Sequence, residues 1–399
     1  MPLKLKDIPP FPDTVEGETD HEFLYRAREN GPLAIDKFGI VTAFSLDHLL
    51  AFNDDRWTRQ IELEGMRASG VSSGAMYDFV SNVMLFANGR THRDRRAPAA
   101  ATFARPALAA LRPEVRARAD ALIAPLVGQG SIDFLDCVAS PLPARIIASL
   151  IGAPEEDSDW FGKRVYSAIR GLSLCTDEVR AESDADAALL RDYVQTLLDM
   201  RQEHPQDDFL TAYLARVTGG PLDTDEIRAQ IMGLVLAGSD TTRGALASTV
   251  SQLLQHPEQW QMLVDDPETH AAPAVSEGLR FDPVIASLGR LTTEPREVEG
   301  VMLPAYTFVA GSMLTALRDP AVYDSPDRFD ITRGDHPRYH PVFGGGPHRC
   351  LGEALARIEL EEALKALATH APHMALDGPP VRLKGRGATR QLGPMRVTL

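Results

Sequence analysis

Ten residues near the C-terminus constrain this chain most: Phe343-Gly-Gly-Gly-Pro-His-Arg-Cys-Leu-Gly352. Glycine permits backbone conformations closed to other residues and lets a chain pass close to a flat ligand. The stretch 349–369 is rich in Ala, Leu and Glu and reads as a helix, so Cys350 falls at its start. There, free N–H groups and the positive end of the helix dipole stabilise a thiolate. A thiolate held this way suits the axial position of haem iron, where it donates electron density that favours O–O cleavage. Zinc does not suit the loop, because no second Cys or His lies at ligand spacing. On residues alone two further readings stay open: a structural cysteine buried behind a glycine turn, and a nucleophile whose base partner is not evident.

The rest of the chain reads as mainly α with small β sheets. Strand signals occur at 39–44 and across 291–309, the latter around a turn at Glu299-Gly300, with 304–309 as its second strand. Helical spacing runs through 113–127, 182–203 and 141–152, the last opening on a proline and stopping at Gly152. A long helix starts at Thr224 as N-cap, with Ile227, Ile231, Leu234 and Leu246 along one stripe. The proline-rich residues 1–12 are extended. No composition shift marks a boundary, so 1–399 is expected to form a single large domain.

Charge and cysteine usage exclude several classes. Lys and Arg total 41 against 56 Asp and Glu, a net charge of −15, which argues against a nucleic-acid binder. Cys137, Cys175 and Cys350 are too few for a disulfide framework and suit a reducing compartment. Residues 1–10 carry no apolar stretch or cleavage site, so no secretory leader is expected, and no run nears the ~20 apolar residues of a membrane helix. The expectation is a soluble, cytoplasmic protein with no membrane partner.

The glycine–cysteine segment resembles the ligand loop of cytochrome P450 haem-thiolate monooxygenases, Phe-Gly-x-Gly-x-His-x-Cys-x-Gly. Phe343, Gly344, Gly346, His348, Cys350 and Gly352 match every fixed position. Other motifs follow in the family's order. Glu277 and Arg280 match its Glu-x-x-Arg pair, at a spacing that shares one helix face. Pro326-Asp-Arg-Phe329 supplies Arg328, which by the resemblance completes a structural trio with them. Ala237-Gly-Ser-Asp-Thr-Thr242 looks like the family's acid–alcohol segment. Gly238 would then open a groove for O2, while Asp240 and Thr241 deliver the protons that O–O cleavage consumes. Since Gly and Thr are poor helix formers, a solvated kink is the other reading of that stretch. His92 and Arg96 at i, i+4, together with Arg290 and His348, match family positions that hold haem propionates, for which the arginine fork is suited. Weaker matches at 132–154, 205–210 and 300–305 extend the resemblance over roughly 10–399. Tyr306, Leu317 and Gln391 depart from the family pattern.

The resemblance implies the cytochrome P450 fold and haem b bound through Cys350, with Phe343, Gly344, Gly352, Ala237 and Gly238 beside it. The reaction implied is insertion of one O2 atom into a small-to-medium hydrophobic substrate, by hydroxylation or dealkylation. By position the pocket draws on Tyr77, Phe79, Val80, Gly233, Leu236, Ala237, Ala286, Ser287 and Leu392, each of which reads equally as core. Gly233 and Ala286 are small enough to leave room, and the Tyr77 hydroxyl is placed to orient a polar group. Arg67, Arg386 and Arg390 are candidates to read a substrate carboxylate. No flavin or nicotinamide fingerprint and no cysteine cluster is present, so electrons are expected from a ferredoxin and its reductase. On a chain of net charge −15 that partner needs a local positive patch, drawn from Arg93, Arg95, Arg349 and Arg357. The rivals are a peroxide-driven peroxygenase, a C–C coupling or carrier-linked biosynthetic member of the same fold, and a non-catalytic haem sensor.

Overall fold

The computed structural model describes residues 3–103, 105–172 and 175–399. Helices dominate it, as the 3–4 residue apolar spacing predicts, and four small sheets complete it. The longest helix, Thr224–Gln255, is capped one residue earlier than expected. Asp223 accepts from the Glu226 amide at 2.8 Å while the Glu226 carboxylate accepts from the Asp223 amide at 3.1 Å. This reciprocal capping box makes Thr224 the first helical residue instead of the cap. The helix runs without a break through 237–242, so the kink reading fails there. The Ser239 and Thr241 hydroxyls bond back to the carbonyls of Val235 and Ala237 at 2.9 and 2.8 Å, which satisfies both groups within the helix.

Contacts group the chain into two units. The first comprises Met1–Ile61, Ser248–Cys350 and Pro380–Gly393. Its five-stranded sheet runs Leu33–Ile35, Val41–Ala43, Phe308–Ser312, Ser287–Thr292, Thr58–Arg59. Val41–Ala43 pairs in parallel with 309–311, and the other neighbours are antiparallel. The predicted turn at Glu299-Gly300 joins strands Arg296–Val298 and Val301–Leu303. Residues 304–307 form a turn, not the start of the expected strand. Tyr306 takes φ +63 there, a conformation that favours glycine, and its amide donates to Thr292 O at 2.8 Å.

Helix Pro267–Phe281 places Glu277 and Arg280 one turn apart, both fully buried. Arg280 grips the carboxylate through Nε at 2.7 Å and Nη2 at 2.8 Å. It also donates to the carbonyls of Leu317, Pro326 and Arg328. The third member of the group is not Arg328. That side chain is 71% exposed and pairs with Asp330, whereas Arg333, 5% exposed, lies 3.3 Å from Glu277. The chain at 328 contributes only its carbonyl because its side chain points to water. Gly278 is required beside the pair, since a Cβ there would stand 2.1 Å from the Thr249 hydroxyl.

The second unit comprises Glu62–Ala247, Leu351–Pro379 and Pro394–Leu399. It holds the helices Ala75–Asn82, Gly89–Thr102, Arg112–Ile123, Pro141–Leu150, Ser158–Arg170, Asp177–Glu203 and Glu353–His370. Strand Arg396–Thr398 pairs between Ser131–Asp133 and Ala375–Leu376. Among the described residues no helix is long and apolar enough to cross a membrane.

Replacing Arg333 leaves a buried carboxylate short of a partner, so Arg333→Ala is expected to cost about 3 kcal/mol in urea unfolding. Arg328→Ala is expected to stay within about 0.5 kcal/mol. The reverse order would restore Arg328 to the trio.

Candidate active site

In the first unit the glycine–cysteine loop is built by two left-handed glycines, Gly344 at φ +69 and Gly346 at φ +61. They reverse the chain so that the Cys350 amide donates to Phe343 O at 2.8 Å and Arg349 Nη1 to Gly344 O at 2.9 Å. Cys350 is exposed and lies three residues before helix Glu353–His370, not in its first turn. The turn at Leu351-Gly352 intervenes, and a short 3-10 turn at Gly346–His348 precedes the cysteine.

The loop rests on a residue the sequence did not flag. Asn53, at the end of helix Leu46–Phe52, is buried, and its backbone carbonyl would stand 2.8 Å from a Cβ at Gly346. Its side-chain oxygen accepts from Arg290 Nη2 at 2.8 Å. Arg290 is 3% exposed and its Nε has no hydrogen-bond partner. Burial pulls its guanidinium down to about 10, opposed by the charge of Asp55. Burial likewise pushes the Asp55 carboxyl up, opposed by Arg290. The His348 side chain is buried, 3.8 Å from Asp55. A buried guanidinium with an unspent donor fits an anionic group, so the residues present suit a haem propionate.

The second unit carries the other candidates. His92 is buried and Arg96 half-buried on helix Gly89–Thr102. Arg95, between them, is 6% exposed and bonded to Glu226 at 2.9 Å, so it leaves the expected positive patch. Arg93 is exposed. On the long helix Ala237 is exposed and Asp240 buried. Asp240 accepts from Arg243 at 2.5 Å, and the Arg243 guanidinium lies 4.2 Å from the Tyr166 ring centroid. The missing side chain at Gly238 admits Ile147, whose Cδ1 would be 2.8 Å from a Cβ there. Glu359, on helix Glu353–His370, is 2% exposed with no partner for Oε2, and burial pushes its carboxyl well above the usual range.

The proposed pocket residues divide. Phe79, Val80 and Leu236 are buried, and Tyr77 is half-buried with its hydroxyl 3.4 Å from Arg67. Ser287 and Leu392 are half-buried. Ala286 is 1% exposed in a core cluster with Phe23, Phe44 and Leu314, so its small size serves packing instead of a ligand. Gly233 does not leave open room either, because Val83 Cγ2 would lie 2.7 Å from a Cβ there. Arg390 is already neutralised by Asp282 and donates to Leu383 O and Pro283 O, which removes it as a carboxylate reader. Arg386 lies over the Phe23 ring at 3.5 Å.

A family model described as Cytochrome P450 matches residues 175–369. The chain is 39% identical over 381 residues to the plant-inducible cytochrome P450-pinF1 of Rhizobium radiobacter, covering 95% of this chain and 90% of that one. It is 36% identical to luteothin monooxygenase of Streptomyces thioluteus over 75% of this chain and 74% of the relative. Its fold matches the crystal structure of P450BioI in complex with an acyl carrier protein bearing hexadec-9Z-enoic acid, with TM-score 0.86 and 27% identity. That match covers 95% of this chain and 98% of that one.

Two substitutions check this geometry. Gly346→Ala combines a left-handed φ with backbone overlap at Asn53 and is expected to cost about 2 kcal/mol or more in urea unfolding; a neutral result would contradict the loop path. For Glu359 the sign follows from its raised folded value. The native state keeps the proton while the unfolded state releases it above 4.5, so native stability falls as pH rises from there. Glu359→Gln should therefore lose less stability than the wild type as pH rises above 4.5, read as urea midpoints across pH. Parallel pH profiles would mean the carboxyl is ionised in the fold.

Proposed function

The chain belongs to the cytochrome P450 family, and on that ground we propose that it inserts one atom of O2 into a small-to-medium hydrophobic organic molecule by hydroxylation or dealkylation. It is a haem-thiolate monooxygenase, as the family implies. The cofactor proposed is haem b, with Cys350 as its thiolate ligand. When bound, it supplies the redox centre at which O2 is activated. The observation that carries this reading is the loop that presents an exposed Cys350 and rests, through Gly346, on the Asn53 that holds the buried Arg290, whose Nε lacks a partner.

Each residue has a distinct task. Arg290, His348, His92 and Arg96 would meet the propionates, and Phe343, Gly344, Gly352, Ala237 and Gly238 would lie against the macrocycle. Asp240 and Thr241 would move protons: the hydroxyl now donates to Ala237 O and the carboxylate is held by Arg243, so both must exchange these partners for water. Tyr77, Phe79, Val80 and Leu236 would wall the substrate pocket, with Ser287 and Leu392 as further contacts. Electrons would come from a ferredoxin meeting Arg93, Arg349 and Arg357, in the cytoplasm. The likeness to a carrier-protein complex favours a carrier-bound substrate as the second reading.

The test has two arms. The ferric holoprotein is titrated with neutral terpenoids and alkylbenzenes, then with aromatic carboxylates of similar size, following the spin state. A low-to-high-spin shift with the neutral set is expected. Silence across the free molecules directs the search to carrier-bound acyl groups. Thr241→Ala should lower product formed per O2 consumed by about tenfold or more. Unchanged coupling would overturn the proton-delivery role, and a Cys350→Ser variant that kept the thiolate spectrum would overturn the ligand.

A further inference from the structure

The connection between helices Ala75–Asn82 and Gly89–Thr102 is tied to the long helix by two buried side chains outside the proposed machinery. Gln230 is fully buried. Its oxygen accepts from the Met84 amide at 2.7 Å, and its nitrogen donates to Asn82 O at 2.8 Å and Glu226 O at 2.6 Å. Arg95, neutralised by Glu226, donates to Ser81 O at 3.1 Å and Val83 O at 3.4 Å. Four consecutive residues, 81–84, therefore each give a backbone group to one of two side chains. Between those anchors Val83, 1% exposed, occupies the notch that the missing side chain of Gly233 leaves in the helix, and the Phe79 ring borders the same notch.

We propose that Gln230 and Arg95 are positioning residues that pin segment 81–84 to the long helix, and that Val83, seated at Gly233, sets the size limit of the substrate pocket at that wall. The second half rests on the reading above that Phe79 and Val80 face the substrate. A side chain at 233 and the side chain of Val83 compete for one volume. The pocket's width here is thus decided by the pair, while the amide side chain at 230 keeps the pair in register. An apolar residue at 230 would leave the Met84 N–H and the Asn82 carbonyl without a buried partner, and the segment would exchange with solvent.

The holoprotein tests both halves. Hydrogen exchange followed by mass spectrometry on Gln230→Leu should show faster exchange at 81–84, with the segment 353–370 and the thiolate–CO spectrum unchanged. Gln230→Glu, which keeps the acceptor for the Met84 amide, should fall between, and it serves if the leucine variant fails to fold. Unchanged exchange in both variants overturns the pin. For the size limit, imidazole and 4-phenylimidazole are titrated against the ferric protein. Val83→Ala should lower the dissociation constant of the larger azole relative to the smaller by about threefold or more. Gly233→Ala alone should perturb the segment, and Val83→Ala/Gly233→Ala should restore both the exchange pattern and the wild-type azole ratio. A ratio unmoved by Val83→Ala overturns the size limit. A wild-type protein without a thiolate spectrum overturns the monooxygenase reading and the size limit with it, and the exchange data still decide the pin.

Discussion

Glu277 and Arg280 are two opposite charges at zero solvent exposure, and the surrounding chain is arranged to keep them satisfied. Removing water from a carboxylate and a guanidinium costs several kcal/mol each unless nearly every hydrogen-bonding site is filled. Glu277 receives Arg280 twice, the Asp330 amide and the Arg333 charge. Arg280 spends its remaining donors on the carbonyls of Leu317, Pro326 and Arg328. The pair therefore fixes an irregular stretch of more than a dozen residues that has almost no regular secondary structure of its own. Immediately beyond it His340 is anchored to Ser276 O, on the same helix as the pair, at 3.0 Å, and the cysteine loop begins. The cysteine loop thus follows a stretch held by side-chain electrostatics where helix or sheet hydrogen bonds are lacking.

The same economy of partners recurs at the loop itself. Asn53 serves three groups: its carbonyl crowds Gly346, its side-chain nitrogen closes its own helix on Leu49 O, and its side-chain oxygen holds Arg290. Arg290 is then left with a buried donor to spare, beside an Asp55 whose carboxyl burial pushes up. A basic group prepared this way discriminates in favour of a carboxylate that arrives with its own negative charge. In the second unit the logic is inverted: Asp240 is occupied by Arg243, while Glu359 is buried and favours its neutral form.

Much of this was legible in the sequence because it depends on short spacing. Six matching positions within ten residues identify the cysteine loop, and i, i+3 spacing puts Glu277 and Arg280 on one face. Helix Pro141–Leu150 follows from its proline start and the Gly152 stop, and the C-terminal helix from its Ala, Leu and Glu content, though it begins at Glu353 and not at 349. The misreadings share one cause. Arg328 and Arg333 are both arginines on the same loop, and only the path of the backbone decides which reaches Glu277. Arg95 is two residues from the exposed Arg93 and differs from it because Glu226, 131 positions later, and the carbonyls of Ser81 and Val83 take up its guanidinium. Ala286 and Gly233 are small for the sake of neighbouring core side chains, and size alone does not say which neighbour uses the space.

By itself the sequence determined the family: a single cysteine in a glycine-rich loop, the Ala237–Thr242 segment on a long helix, the Glu277–Arg280 pair, and their order along the chain. Tertiary structure decided which side chains support those groups. Asn53 meets Arg290 across 237 positions and Gln230 meets Met84 across 146. Periodicity encodes which face of an element is apolar. It carries no record of which distant element that face will meet, and a buried polar side chain acquires its role only from that meeting.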